Sequence, residues 1–102
     1  MNDNTKLMNL IGLAQRARKL ETGTDFTIKA IAGGKARLVI LANDASANLT
    51  KKITDKAAFY HATVITPLTE TELSIAIGHK RTVIAILDAG LAKAITKLTA
   101  QR

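Results

Sequence analysis

Apolar positions along this chain alternate between a helical and a strand period, and the alternation lays out nine elements. Leu7, Leu10, Ile11, Ala14 and Ala17 follow helical spacing with Lys6, Asn9 and Arg16 turned away, predicting a first helix that ends near Arg18-Lys19. Leu20-Glu21-Thr22 reads as a short extended piece closed by Gly23, and a second helix is expected over Thr24–Ala32, stopped by Gly33-Gly34. Residues 37–42 form a compact apolar run that suits a strand buried on both faces. Asn43-Asp44-Ala45-Ser46 then turns into a third helix, with Leu49, Ile53, Ala57 and Tyr60 expected on one face.

The second half repeats the alternation. A short strand is predicted over 63–66, ended by Pro67. Thr69-Glu70-Thr71-Glu72 reads as a capping box, in which the Thr69 hydroxyl accepts an N–H bond and Glu72 reaches back. The helix it opens should stop at Gly78. A buried strand follows over 82–87, and a last helix begins at Gly90 with Leu91, Ala94, Ile95 and Leu98 in one stripe. Strands separated by helices imply an α/β fold: a three-layer α/β/α sandwich around a mixed sheet of about four strands. No repeat, linker or low-complexity tract divides the 102 residues, so one domain over 1–102 is expected.

Composition narrows the chemistry. With 47% hydrophobic residues the chain can fold, yet its aromatics are only Phe26, Phe59 and Tyr60, so the core must come from Leu, Ile, Val and Ala. Cysteine is absent, which removes disulfides, thiolate metal sites and thiol catalysis. The segment Met1-Asn2-Asp3-Asn4-Thr5 is polar, unlike a secretory signal, and no aliphatic run approaches the ~20 residues of a membrane span. A cytoplasmic protein without a membrane partner is the expectation. Lys and Arg outnumber Asp and Glu by 15 to 8, and the net charge of +7 points to an anionic partner.

Candidates for catalysis are weak. Gly33-Gly34-Lys35 follows a helix, lacks a Ser or Thr after the lysine, and misses the first glycine of a phosphate loop. Asp44 and Asp88 sit just past two buried strands, where α/β folds place ligands. No third acid accompanies them at a strand end, so capping of the following turn or helix is the better reading of both. His61 and His79 stand in no motif that would make a base, His61 falling at a helix C-terminus. The expectation is a protein that is not an enzyme, with no cofactor and no metal.

Three loops fare better. Gly23-Thr24-Asp25 opens the second helix, with Phe26 next and Lys29 one turn on; helix starts offer free N–H donors and a positive field. Gly23 lets a backbone approach closely, and Lys29 supplies charge. Asn43 and Asp44 form the second loop, while Gly78, His79, Lys80 and Arg81 form a basic third loop able to clamp a backbone. Lys19, Lys35 and Arg37 would widen the basic rim if they shared that face.

At these residues the chain resembles a known family. The stretch from Gly23 to Lys29, the run Ala36-Arg37-Leu38-Val39-Ile40-Leu41-Ala42-Asn43-Asp44, and Glu72-Leu73 leading to Ala76-Ile77-Gly78 occur in the order of the ribosomal protein "seven-Ae"/"thirty-e" superfamily. Members commonly bind kink-turn RNA, and this chain is most similar to the bacterial YlxQ-like branch. The resemblance implies an α/β/α sandwich with a four-stranded mixed sheet. It also implies RNA binding through Gly23, Thr24, Asp25, Phe26 and Lys29, through Asn43 and Asp44, and through Gly78, His79, Lys80 and Arg81. Two positions depart from the family pattern: archaeal members place Asn-Glu, and others Lys-Gln, where this chain has Asp25 and Phe26. Asp25 keeps an acceptor and loses a donor. Phe26 either stacks on a base or folds into the core.

The expected function is therefore a monomeric, non-catalytic ribonucleoprotein component that binds structured RNA (a kink-turn, bulge or internal loop), ribosomal RNA included. The alternative is a protein-interaction module that retains the fold, with Phe26 as its anchor.

Overall fold

The computed structural model describes residues 4–100; Met1, Asn2 and Asp3 of the polar leading segment lie outside the described residues. Nine elements follow one another: α1 (Asn4–Arg16), β1 (Leu20–Thr22), α2 (Thr24–Ala32), β2 (Leu38–Leu41), α3 (Ala47–Tyr60), β3 (Val64–Ile65), α4 (Glu70–Ile77), β4 (Val83–Ile86) and α5 (Ala89–Ala100). The sheet order is β1-β4-β2-β3, with β4 antiparallel to both β1 and β2, and β3 parallel to β2. This is the mixed four-stranded sheet that the alternation of periods suggests.

Side-chain alternation along the two central strands divides the core. Leu38 and Ile40 of β2 with Ile84 and Ile86 of β4 face α1, α4 and α5, meeting Leu7, Ile11, Leu73, Ile77 and Ile95. Val39, Leu41 and Val83 face the other way, onto Ile31 of α2 and Ile53 of α3. Both central strands are buried at every position, which is why they read as unbroken apolar runs. The result is three layers: three helices, the sheet, and two helices.

Local signals act where the sequence places them. Thr69 Oγ1 accepts from the Glu72 N–H at 3.2 Å and Glu72 Oε1 accepts from the Thr69 N–H at 3.0 Å, closing the capping box of α4. Ser46 caps α3 by accepting from the Leu49 N–H at 3.1 Å. Four details differ from the sequence reading. Helix α1 ends at Arg16 because Arg18 turns left-handed at φ 59°, which leaves Ala17 exposed. Strand β3 shortens to two residues at the sheet edge. In α5 the buried stripe is Ala92 and Ile95, while Ala94 faces solvent. Tyr60 leaves the apolar face of α3 and instead meets Phe59 edge-on, ring centroids 4.9 Å apart. Among the described residues no helix is long and apolar enough to cross a membrane.

Candidate nucleic-acid interface

The strand register brings the three loops to one end of the sheet. Thr22 at the end of β1 pairs with Ile84, and Leu41 at the end of β2 pairs with Val83 at the start of β4. The chain therefore leaves β1 and β2 where it enters β4. Backbone bonds fasten the loops: the Gly23 N–H donates to the Val83 carbonyl at 2.9 Å, Ala42 to Thr82 at 2.8 Å, and Asn43 to Leu68 at 2.8 Å.

Gly23 is the N-cap of α2, with φ 92° and ψ 161°. That conformation is nearly confined to glycine, and glycine brings no side chain to cap the helix. The first N–H groups of α2, at Thr24, Asp25 and Phe26, have no intrahelical acceptor and mark the positive end of the helix. Asp25, exposed in this first turn, complements that end and presents carboxylate acceptors.

Arg81 ties the third loop to the first. Its Nε donates to Thr22 Oγ1 at 3.2 Å, and Nη1 donates to the Lys80 carbonyl at 2.7 Å. Ser74 Oγ holds the Arg81 backbone at both groups, accepting from its N–H at 3.0 Å and donating to its carbonyl at 3.2 Å. Held this way, the Arg81 side chain lies beside Gly23, its Nε 3.5 Å from where a β-carbon would stand, and the guanidinium is already ordered. Thr24, Asp25, Phe26, Lys80 and Arg81 surround an open depression of about 450 Å³. A second depression of about 540 Å³ adjoins it across Glu70 and Lys80, and there Gly78, His79 and the exposed Ile75 line the wall.

The second loop joins through its hydrogen bonds. Asp44 Oδ1 accepts from the Glu70 N–H at 2.9 Å, so it caps α4, 26 residues onward, and not the helix that follows it. Glu70 Oε2 in turn accepts from Thr82 Oγ1 at 3.0 Å. Asn43 is exposed beside it. Asp88 accepts from the Leu91 N–H at 2.8 Å and caps α5 at the sheet's other end, far from Asp44. Among the described residues no group of three or more acids, histidines or cysteines could hold a metal ion.

Four predicted positions lie elsewhere. Lys19 and Arg37 precede β1 and β2, at the opposite end of the sheet, where the Lys19 carbonyl accepts from Leu87 and the Arg37 N–H donates to Ile86. Lys29 and Lys35 line a separate depression on the outer side of α2, which Phe26 divides from the three-loop site. Phe26 does not fold into the core; 59% of it is exposed. Thr22, Glu70, Ser74 and Thr82 belong to the site and were not among its predicted residues. Thr22 and Thr82 abut predicted loops, whereas nothing local singles out Ser74 or Glu70.

The arrangement mixes charges. Asp25, Asp44 and Glu70 stand among Lys80 and Arg81, so the site offers donors and acceptors together, as base edges and phosphates require.

Comparison with known proteins places the chain in a family. The Ribosomal protein L7Ae/L30e/S12e/Gadd45 family matches residues 5–96. The chain is 46% identical over 93 residues to the RNA-binding protein YlxQ of Enterococcus faecium, covering 91% of this chain and 90% of that protein. It is 41% identical over 90 residues to RNA-binding protein YlxQ of Bacillus subtilis, covering 87% and 90%. Its fold is similar to that of a Bacillus halodurans protein of unknown function, with a TM-score of 0.88, 40% identity, and coverage of 93% and 97%. A Giardia lamblia 15.5kD RNA binding protein shares the fold at a TM-score of 0.80 and 19% identity, covering 100% of this chain and 92% of that one. The chain belongs to the ribosomal protein L7Ae/L30e/S12e/Gadd45 family, in its YlxQ-like bacterial branch.

Proposed function

We propose that this protein is a non-catalytic, monomeric RNA-binding protein of the cytoplasm that recognises an irregular RNA helix: a kink-turn, a bulge or an internal loop, ribosomal RNA included. The observation that carries this reading is the convergence of an uncapped helix start, a fixed arginine and three acids at one end of the sheet. The names of the YlxQ relatives support RNA as the partner.

The major groove of A-form RNA is too narrow for a helix, so recognition falls on opened base edges and backbone shape. The α2 N–H groups and the Asp25 carboxylate read base edges. Lys80 and Arg81 hold phosphates on one side, with His79 beside them, and Lys29 holds one a turn further along α2. Asn43, beside the capping Asp44, contacts the strand from the third side.

The test is direct binding to a kink-turn RNA and to a matched duplex without the kink, near physiological salt. Clear preference for the kinked RNA is expected. Affinity should fall by about 0.9 log units per decade of salt for each duplex phosphate neutralised. Lys29→Ala should weaken binding more than Lys97→Ala on α5, in the opposite layer. Equal, weak binding to both RNAs overturns kink recognition and turns attention to Phe26 as an anchor for a protein partner.

A further inference from the structure

The outer side of α2 carries a depression separate from the one that the three loops surround. Phe26, Lys29, Lys35, Glu21 and Leu87 enclose a depression of about 300 Å³, at the small end of ligand sites, which run to roughly 1,000 Å³. The local sequence builds it. Phe26 and Lys29 lie one turn apart on α2, and the Gly33-Gly34 stop returns the chain so that Lys35 faces them. Leu20 packs into the α1, α4 and α5 layer, so strand alternation turns its neighbour Glu21 onto the α2 side of edge strand β1. Leu87, just past β4, adds an apolar lining.

Each wall has a chemical use. A phenylalanine left 59% exposed beside two lysines presents a flat face flanked by cations. Bases stack on such a ring, and ammonium groups meet the phosphates on either side. Glu21 can only accept hydrogen bonds, and an exocyclic amino group offers two N–H donors where uracil offers only its ring N3–H, so the carboxylate favours amino-bearing bases over uracil. Among the described residues none of Lys29, Lys35 and Glu21 is engaged in an ion pair. Phe26 also walls the three-loop depression, so a strand leaving that site crosses the ring directly into the slot.

We propose that this slot takes one unpaired, amino-bearing nucleotide of the bound RNA. Its base stacks on Phe26, its amino group donates to Glu21, and its flanking phosphates lie on Lys29 and Lys35. The proposal rests on the RNA-binding reading and adds to it a second, base-selective contact outside the three loops.

The test uses the full chain and a kink-turn RNA in which 2-aminopurine replaces each unpaired nucleotide in turn. One position should be quenched on binding wild-type protein and stay bright with Phe26→Ala. Phe26→Ala should weaken affinity about 5- to 150-fold, the range of one lost base stack, and Phe26→Trp should restore it. Lys35→Ala should lower the salt slope by about 0.7 to 0.9. Uridine at the quenched position should weaken wild-type binding but not that of Glu21→Ala. Because Phe26 is exposed, an unchanged melting temperature separates lost contact from lost fold. If wild type binds the kinked RNA tightly and Phe26→Ala binds within twofold of it, the slot is overturned while RNA binding stands. If wild type binds no structured RNA, both readings fall.

Discussion

Replacing Gly23 by alanine should destabilise the protein through its backbone alone. At φ 92° and ψ 161°, residue 23 lies in a region that is costly for any L side chain, by about 1–3 kcal/mol. Alanine also restricts the unfolded chain, which offsets about 0.4–1 kcal/mol of that. With the strain taken near the middle of that range, about 2 kcal/mol, the net loss is about 1–1.6 kcal/mol, or roughly 4–13 °C in melting temperature for a domain near 100 residues. Sterics contribute little, because a β-carbon here would stand 3.5 Å from Arg81 Nε, an ordinary contact with a flexible group. Two controls isolate the cause. Gly78→Asn should cost under about 1 kcal/mol, since Gly78, at φ 84° and ψ 6°, is plainly left-handed, a conformation asparagine tolerates and that Arg18 and His61 already adopt. Truncating the arginine in the double variant, Gly23→Ala with Arg81→Ala, should rescue nothing. The assay is thermal and urea unfolding of the four proteins. Rescue by Arg81→Ala would show a steric clash, and a Gly23→Ala melt within 1 °C of wild type would refute the backbone argument outright.

Thr27 is fully buried in α2 and its hydroxyl has no hydrogen-bond partner, so Thr27→Val should stabilise by about 1 kcal/mol, raising the melting temperature by about 4–8 °C in a thermal scan. Asp44→Ala removes one acceptor from the start of α4 and leaves the capping box, so urea unfolding should show a loss of about 0.5–2 kcal/mol. Asp55 raises the Lys51 pKa through their hydrogen bond at 2.7 Å, so what the pair contributes is complete below the lysine's unfolded pKa and is lost only as alkaline pH passes the raised one. Both side chains are solvent-exposed, so Lys51→Ala should leave the melting temperature at pH 7 unchanged within error.

Whatever depends on neighbours in sequence was legible before the structure. The Thr69–Glu72 box, the Gly23 break and the two buried apolar runs each act over a few residues, and each stands where the pattern puts it. Helix faces were legible only while the axis stayed straight and covered. Ala17 lies past a left-handed turn, Tyr60 sits where α3 ends, and Ala94 is one residue beyond the stripe that α5 buries. Pairings across the fold were not legible at all. Arg81 meets Thr22 at a separation of 59 residues, and Asp44 meets Glu70 at 26. Nothing in the spacing says that β4 runs antiparallel between β1 and β2, yet that single fact brings the loop before β4 to the ends of β1 and β2 that carry the other two loops, and leaves Lys19 and Arg37 at the opposite end.

That separation changes what the net charge of +7 can mean. At the three-loop end, Asp25, Asp44 and Glu70 stand against Lys80 and Arg81, so local attraction for a phosphate backbone is modest. Much of the surplus lies elsewhere: Lys19 and Arg37 beyond the far end of the strands, about 13–20 Å away at 3.3 Å per residue, and Lys29 and Lys35 on the flank of α2. Screening lengths near 8 Å at physiological salt keep distant charges from holding RNA in place, though they still speed its arrival. A duplex that offers only phosphates gains little at such a site. In the proposed role, an RNA that opens its base edges would satisfy the acids and the helix N–H groups at once, and the same acids that weaken non-specific binding would then become contacts. Selectivity for irregular RNA in that role would follow from where the negative charges sit as much as from the positive ones.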